Sequence, residues 1–108
     1  MINRQKGCHD IYGLEAKKWQ YVMNLIDSVC QKYHYDYIRT PIFVASELYH
    51  RGIGEGTDIV TKEMYDFKDK GDRNITLRPE GTAGIVRAYL ENKMYGEASQ
   101  PTKLYYTG

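Results

Sequence analysis

The sequence predicts an α+β fold, and three observations carry that prediction. Helical periodicity fills residues 14–33, aromatic and β-branched residues dominate 35–43, and two further strand-like runs close on a turn at 69–72.

Trp19, Val22, Met23, Ile26, Val29, Cys30 and Tyr33 recur at helical spacing, while Glu15, Lys17, Lys18, Asn24, Asp27 and Gln31 fill the opposite face. That division predicts an amphipathic helix over 14–33 whose apolar stripe packs on a core. The run Tyr35-Asp36-Tyr37-Ile38-Arg39-Thr40-Pro41-Ile42-Phe43 predicts a strand. Pro41 has no N–H to donate, so it belongs at a strand end, an edge or a bulge. Ser46 is placed to cap a short helix through about residue 49, with Gly52 as its stop.

Arg51-Gly52-Ile53-Gly54-Glu55-Gly56-Thr57-Asp58 reads as a glycine-rich loop. It lacks the Gly-Lys-Ser/Thr ending of a phosphate-binding P-loop and does not fit Gly-x-Gly-x-x-Gly between a strand and a long helix, so backbone freedom accounts for it better than a phosphate cradle. Glu63-Met64-Tyr65-Asp66-Phe67 and Asn74-Ile75-Thr76-Leu77-Arg78 predict a hairpin around Asp69-Lys70-Gly71-Asp72, where Gly71 can take positive φ. The second strand leads into Pro79-Glu80-Gly81-Thr82 and a helix carrying Ile85, Val86, Tyr89 and Leu90 on one face. Residues 96–101 form a loop, and Lys103-Leu104-Tyr105-Tyr106-Thr107 begins another strand. The chain stops just after it, at Gly108, inside what reads as a sheet; the expectation is a truncated domain.

Composition narrows the function. At 108 residues, 42% hydrophobic and 27% charged, the chain suits one globular domain with a modest core. A net charge of +1, with both signs interspersed, gives no electrostatic footprint for nucleic acid or an anionic membrane. Cys8 and Cys30 make no disulfide framework, and His9, His34 and His50 are too dispersed for a metal site. No apolar stretch follows the opening charges and none approaches membrane-spanning length, so a soluble, cytoplasmic protein is expected. Eleven tyrosines are many for this length, and sheet or interface packing explains them better than tyrosine chemistry.

Leu77-Arg78-Pro79-Glu80-Gly81-Thr82-Ala83 is the stretch richest in chemistry. Glu80 stands just before a helix, where unpaired N–H groups and the partial positive charge favour an ionised carboxylate. Gly81 removes side-chain bulk, and Thr82 adds a hydroxyl two residues on. An acid and a hydroxyl converging at a strand-to-helix turn can seat an ammonium group. Local physics leaves a plainer alternative: Glu80 as a helix-start charge and Thr82 as a cap, a common pairing. Arg78 can hold an anion, but an arginine at a strand end more often pairs with an internal acid.

The same run resembles the amino-acid-binding segment of histidyl-tRNA synthetases, members of the class II aminoacyl-tRNA synthetases. Lys6-Gly7 with Asp10 looks like the family's N-terminal lead-in, and Tyr37-Ile38-Arg39-Thr40-Pro41-Ile42-Phe43 like its motif 1. Thr57-Asp58-Ile59-Val60 with Lys62-Glu63-Met64-Tyr65 looks like the loop and strand before the binding segment. Gln100-Pro101 with Lys103-Leu104-Tyr105-Tyr106 looks like the approach to motif 2. Gly84 departs from the proline often found there, and Cys8-His9 from a threonine-containing pair; neither is part of the candidate site.

The resemblance implies a mixed, mainly antiparallel sheet flanked by helices. Residues 1–108 would be the N-terminal portion of a class II catalytic domain, with motif 1 at about 35–43 and the end before motif 2. It implies histidine, ATP with Mg2+, and tRNA(His) as substrates of the parent enzyme. Histidine is activated to histidyl-adenylate and then transferred to tRNA. It implies that Glu80, Gly81 and Thr82 bind the histidine α-amino group, and that Tyr37, Ile38, Arg39, Thr40 and Pro41 contribute to a homodimer surface. No catalytic residue and no metal ligand is implied within the chain, and the 52–57 loop becomes a cover near the acceptor end. Two other readings stand beside it. One is the synthetase-like regulatory subunit of ATP phosphoribosyltransferase in histidine biosynthesis; the other is a free-standing dimerisation module.

The family's phosphate-holding arginines lie in motifs 2 and 3, and without cationic stabilisation a phosphoryl transition state loses its main support. The 108-residue chain alone is therefore expected to catalyse no histidine-dependent ATP–pyrophosphate exchange; exchange above background by the purified chain would refute this.

Overall fold

The computed structural model describes residues 1–52 and 64–108, and these fall into two compact units. The first comprises Met1–Asp36 with Thr107, the second Tyr37–Tyr106 with Gly108. The glycine-rich run from Ile53 to Asp58, the Thr57–Val60 stretch, and Lys62-Glu63 lie outside the described residues.

The first unit is an irregular lead-in followed by helix α1 (Gly13–Lys32), one residue earlier at each end than the periodicity predicts. Glu15 in the first turn and Lys32 in the last complement the helix dipole. The helix closes through a Schellman arrangement: Tyr35 N–H donates to the Cys30 carbonyl at 2.9 Å and His34 N–H to that of Gln31 at 3.0 Å. His34 supplies the left-handed residue, φ 62°, that this geometry needs. The apolar stripe is present but not covered within the unit, because no α1 residue is buried. Trp19 is 52% exposed and Ile26 39%.

The second unit holds β1 (Asp36–Tyr37, shared with the end of the first), β2 (Phe43–Ala45), α2 (Glu47–Gly52), β3 (Asp66–Lys68), β4 (Asn74–Leu77), α3 (Thr82–Glu91), a 3-10 turn at Met94–Gly96, and β5 (Leu104–Tyr105). The single strand expected over 35–43 is thus two strands in two sheets. At its Tyr37 end β1 lies beside β5, where Ile38 N–H donates to the Tyr105 carbonyl at 3.0 Å. β2 joins the three-stranded sheet β2-β4-β3 instead. Pro41 falls in the break: it cannot donate to a ladder, and it restricts Thr40 before it.

Both pairings of the three-stranded sheet are antiparallel, in register Phe43↔Leu77, Val44↔Thr76, Ala45↔Ile75 and Asp66↔Thr76, Phe67↔Ile75, Lys68↔Asn74. The Val44–Thr76–Asp66 row brings Val44 and Thr76 into the interior, with Tyr49 of α2 and Ala88 of α3 as further core residues. Thr76, wholly buried, donates to Asp66 Oδ1 at 2.5 Å and lies 2.8 Å from Ser46 Oγ. Ser46 therefore serves this buried polar row; α2 begins just after it, with His50 N–H on the Ser46 carbonyl.

Two further expectations are corrected. On α3 the buried seam is Gly84 and Ala88, one turn apart, whereas Val86 and Leu90 are more than half exposed. Small residues let this helix approach closely: a Cβ at Gly84 would sit 3.2 Å from Thr40 Oγ1. In the hairpin turn the left-handed residue is Asp72, φ 62°, and not Gly71. The Asp69 carboxylate organises that turn, accepting from the N–H groups of Gly71 and Arg73, both at 2.9 Å, and from Arg73 Nε at 2.7 Å. Aspartate side chains stabilise such turns by this local bonding.

The N–H of Arg73 first, then its guanidinium and the Gly71 N–H, hold the Asp69 carboxyl below its ordinary value of 3.8. A depressed folded value means that its contribution to the turn is complete above about pH 4 and is lost as pH falls through the lowered value. Accordingly, Asp69→Ala should speed amide hydrogen exchange at Gly71 and Arg73 at neutral pH, and unchanged protection there would contradict the assignment.

Candidate functional site

β4 ends at Leu77, and the chain passes through Arg78, Pro79, Glu80 and Gly81 before α3 begins at Thr82. The first N–H groups of a helix have no partner within it. Glu80 supplies two of them from its side chain: Thr82 N–H donates to Oε2 at 2.6 Å and Ala83 N–H to Oε1 at 3.1 Å. The first intrahelical bond then runs from Ile85 N–H to the Gly81 carbonyl. The acid is the cap here, and the Thr82 hydroxyl forms no hydrogen bond among the described residues. An ionised carboxylate accepts about four hydrogen bonds, so each oxygen keeps roughly one lone pair after these contacts. Glu80 is exposed and, among the described residues, enters no ion pair. Carboxylate and hydroxyl thus belong to the start of one helix, the first with spare accepting capacity.

Gly81 has a reason the sequence did not disclose. Its φ of −97° and ψ of −20° suit any residue, so no left-handed turn requires glycine. A Cβ there would fall 2.4 Å from ring carbons of Tyr106, which occupies the space that the sequence reading reserved for a ligand beside the backbone. Tyr49 is the second unforeseen residue. It is 1% exposed, and its hydroxyl donates to the Glu80 carbonyl at 2.8 Å. Burial, and then the nearby Glu80 carboxylate, push the Tyr49 hydroxyl above its ordinary pKa, with Arg78 opposing. The excess of tyrosine was the one sequence signal, but it did not say which of eleven mattered.

Arg78 does not find the internal acid expected for it; among the described residues it forms no ion pair. Its backbone N–H donates to the Ile42 carbonyl at 2.8 Å, while Nη1 lies 3.5 Å from the Thr40 carbonyl and 3.4 Å from Thr40 Oγ1. Those last two distances are at the limit of useful hydrogen bonding. The 37–41 run divides by exposure: Tyr37, Arg39 and Pro41 are exposed, Ile38 is half-buried, and Thr40 is buried beside Gly84. Tyr37 meets Tyr105 edge to face, ring centroids 5.5 Å apart.

An open cleft of about 810 Å³ in this unit is lined, among the described residues, by Ser46, His50, Asp66, Lys68, Arg73 and Ile75 with others, and by none of Glu80, Gly81 and Thr82. His50 Nε2 lies 3.2 Å from Asp66 Oδ2 there. Among the described residues no three His, Cys, Asp or Glu side chains gather into a metal-binding group, and no helix is long and apolar enough to cross a membrane.

Comparison with known proteins places this geometry in context. The family model described as histidyl-tRNA synthetase matches residues 7–108. The chain is 57% identical over 108 residues to the histidine–tRNA ligase of Staphylococcus saprophyticus and 56% identical to that of Macrococcus caseolyticus. It covers 26% of each, so it spans about a quarter of the length of the curated relatives it matches. The crystal structure of apo Staphylococcus aureus histidyl-tRNA synthetase superposes over the whole chain and 25% of its own, with TM-score 0.86 and 50% identity. A Bacillus halodurans structure titled ATP phosphoribosyltransferase regulatory subunit/histidyl-tRNA synthetase matches the whole chain and 27% of its own at TM-score 0.79. At 21% identity it shares the fold.

The Gly81–Tyr106 contact is testable by a double-mutant cycle. Gly81→Ala should lower the thermal midpoint in the wild-type background and cost at least about 1 kcal/mol less when combined with Tyr106→Ala, because the clash is then gone. Additive losses in thermal unfolding would exclude the contact.

Proposed function

Because the chain belongs to the histidyl-tRNA synthetase family, we propose that it forms the amino-acid-binding front part of a histidine–tRNA ligase, with Glu80 and Thr82 seating the α-amino group of histidine. One observation carries the reading: an exposed glutamate whose carboxylate is held by two helix N–H groups, with no cationic partner among the described residues, stands two positions before a threonine whose hydroxyl forms no hydrogen bond among them.

In this reading the α-ammonium of histidine donates to the remaining lone pairs of the Glu80 carboxylate and to the Thr82 hydroxyl. Charge-assisted bonds of this kind are roughly twice as strong as neutral ones. Gly81 supplies the backbone between the two groups. Fixing the amine orients the substrate carboxylate for attack on the α-phosphorus of ATP: an O–P bond forms, pyrophosphate leaves, and histidyl-adenylate results. A hydroxyl at the tRNA 3′ end then attacks the acyl carbon and releases AMP. The chain's own contribution is placement of the amino acid, which converts an encounter into an oriented reaction. Magnesium accompanies ATP in this reaction. The described residues bring no cluster of metal-ligating side chains together, so no step is assigned to it on this chain.

A cytoplasmic homodimer completes the proposal. Exposed Tyr37, Arg39 and Pro41 would meet the partner, while Ile38 and Thr40 support them from below. The regulatory-subunit reading rests on a more distant likeness, 21% against 50% identity among structures.

In the ligase containing this chain, Glu80→Gln should raise KM for histidine by the equivalent of about 1.5–3 kcal/mol and leave KM for ATP nearly unchanged. Thr82→Ala should do less, since a neutral hydroxyl contributes less. Histidine-dependent ATP–pyrophosphate exchange measures both, and an unaltered histidine KM in Glu80→Gln would remove that residue from the site.

A further inference from the structure

We propose that Tyr49 is a positioning residue for Glu80: from within α2 its hydroxyl fixes the Glu80–Gly81 peptide and thereby the direction in which the Glu80 carboxylate faces a bound amine. The proposal rests on the amino-acid-binding reading of Glu80 given above, and assigns a role to a residue 31 positions away in sequence.

Glutamate has three freely rotating side-chain bonds, and an exposed one ordinarily samples many rotamers. Here both carboxylate oxygens are tied to N–H groups of the next helix, so the side chain and its own backbone form a closed ring of contacts. The aim of the carboxylate is then only as steady as the peptide carrying it. The Glu80 carbonyl lies one residue before the first carbonyl that α3 engages, which is that of Gly81. Among the described residues, the Tyr49 hydroxyl at 2.8 Å is the donor that holds it. Tyr106 closes the other side, its ring packed where a Gly81 side chain would be. The peptide is thus gripped by a buried phenol at its oxygen and by an aromatic ring beside its α-carbon.

Tyr49 suits this task. At 1% exposure its ring has no room to swing, so the hydroxyl is delivered from a fixed point. Burial and the Glu80 carboxylate also hold the phenol in its protonated, donating form well past neutral pH. A phenylalanine would fill the same volume yet leave the carbonyl without its donor.

The experiment uses the full-length ligase containing this chain and measures histidine-dependent ATP–pyrophosphate exchange for Tyr49→Phe, Glu80→Gln and the double variant. Tyr49→Phe should raise KM for histidine about three- to tenfold, the worth of one neutral hydrogen bond, with KM for ATP unchanged. In the Glu80→Gln background the same change should add less than about twofold, because it acts through the group already removed. A purely structural role would shift both Michaelis constants or add its full effect to Glu80→Gln, and either result overturns the proposal. So does a Tyr49→Phe enzyme with wild-type histidine KM while Glu80→Gln is impaired; that outcome leaves the role of Glu80 standing. An unimpaired Glu80→Gln enzyme instead defeats the underlying reading, and the inference with it.

Discussion

The structure of the second unit depends on how the chain gets from β4 into α3. A helix that starts directly after a strand exposes N–H groups that must be satisfied within a few residues. Here a glutamate side chain folds forward to accept two of them, and a buried tyrosine reaches across to hold the carbonyl behind it. With that turn fixed, Gly84 and Ala88 face inward and the helix settles on Thr40. One acid therefore closes the turn and starts the helix. The two capping bonds hold both carboxylate oxygens and leave each with spare accepting capacity.

Much of the architecture could be read from residue pattern. The 3.6-residue spacing of Trp19, Val22, Met23 and Ile26 located α1 to within a residue, because a long amphipathic period is hard to mistake. The hairpin was legible for another reason, its strand-like runs separated by a turn rich in Asp and Gly. What misled was local chemistry with more than one solution. Gly71 was the obvious candidate for positive φ, yet the Asp69 side chain organised the turn so that Asp72 took it. The 35–43 run has uniform strand composition, and only three dimensions reveal that its halves join different sheets on either side of Pro41.

The candidate site was partly legible. Glu80 before a helix announces a carboxylate near unpaired N–H groups, and two of those groups do donate to it. The plainer alternative weighed from sequence made Thr82 the cap; the cap is Glu80, which uses part of its hydrogen-bonding capacity for it. Gly81 was read for the wrong neighbour. Its missing Cβ makes room for Tyr106, a residue 25 positions later whose approach follows from strand β5 and no local rule. Tyr49 was invisible for a similar reason, since a tyrosine on a short helix looks the same whether its hydroxyl meets water or a carbonyl 31 residues away.

The contact between Thr40 and Gly84 has a consequence for how such a protein can change over time. Thr40 belongs to the run whose other members are mostly exposed, and Gly84 to the helix that opens at the carboxylate. With only 3.2 Å available for a β-carbon, enlarging either side chain would wedge the two segments apart. Substitutions in the 37–41 run and at the start of α3 are consequently not independent histories; a mutation tolerated in one place depends on which small residue happens to stand in the other.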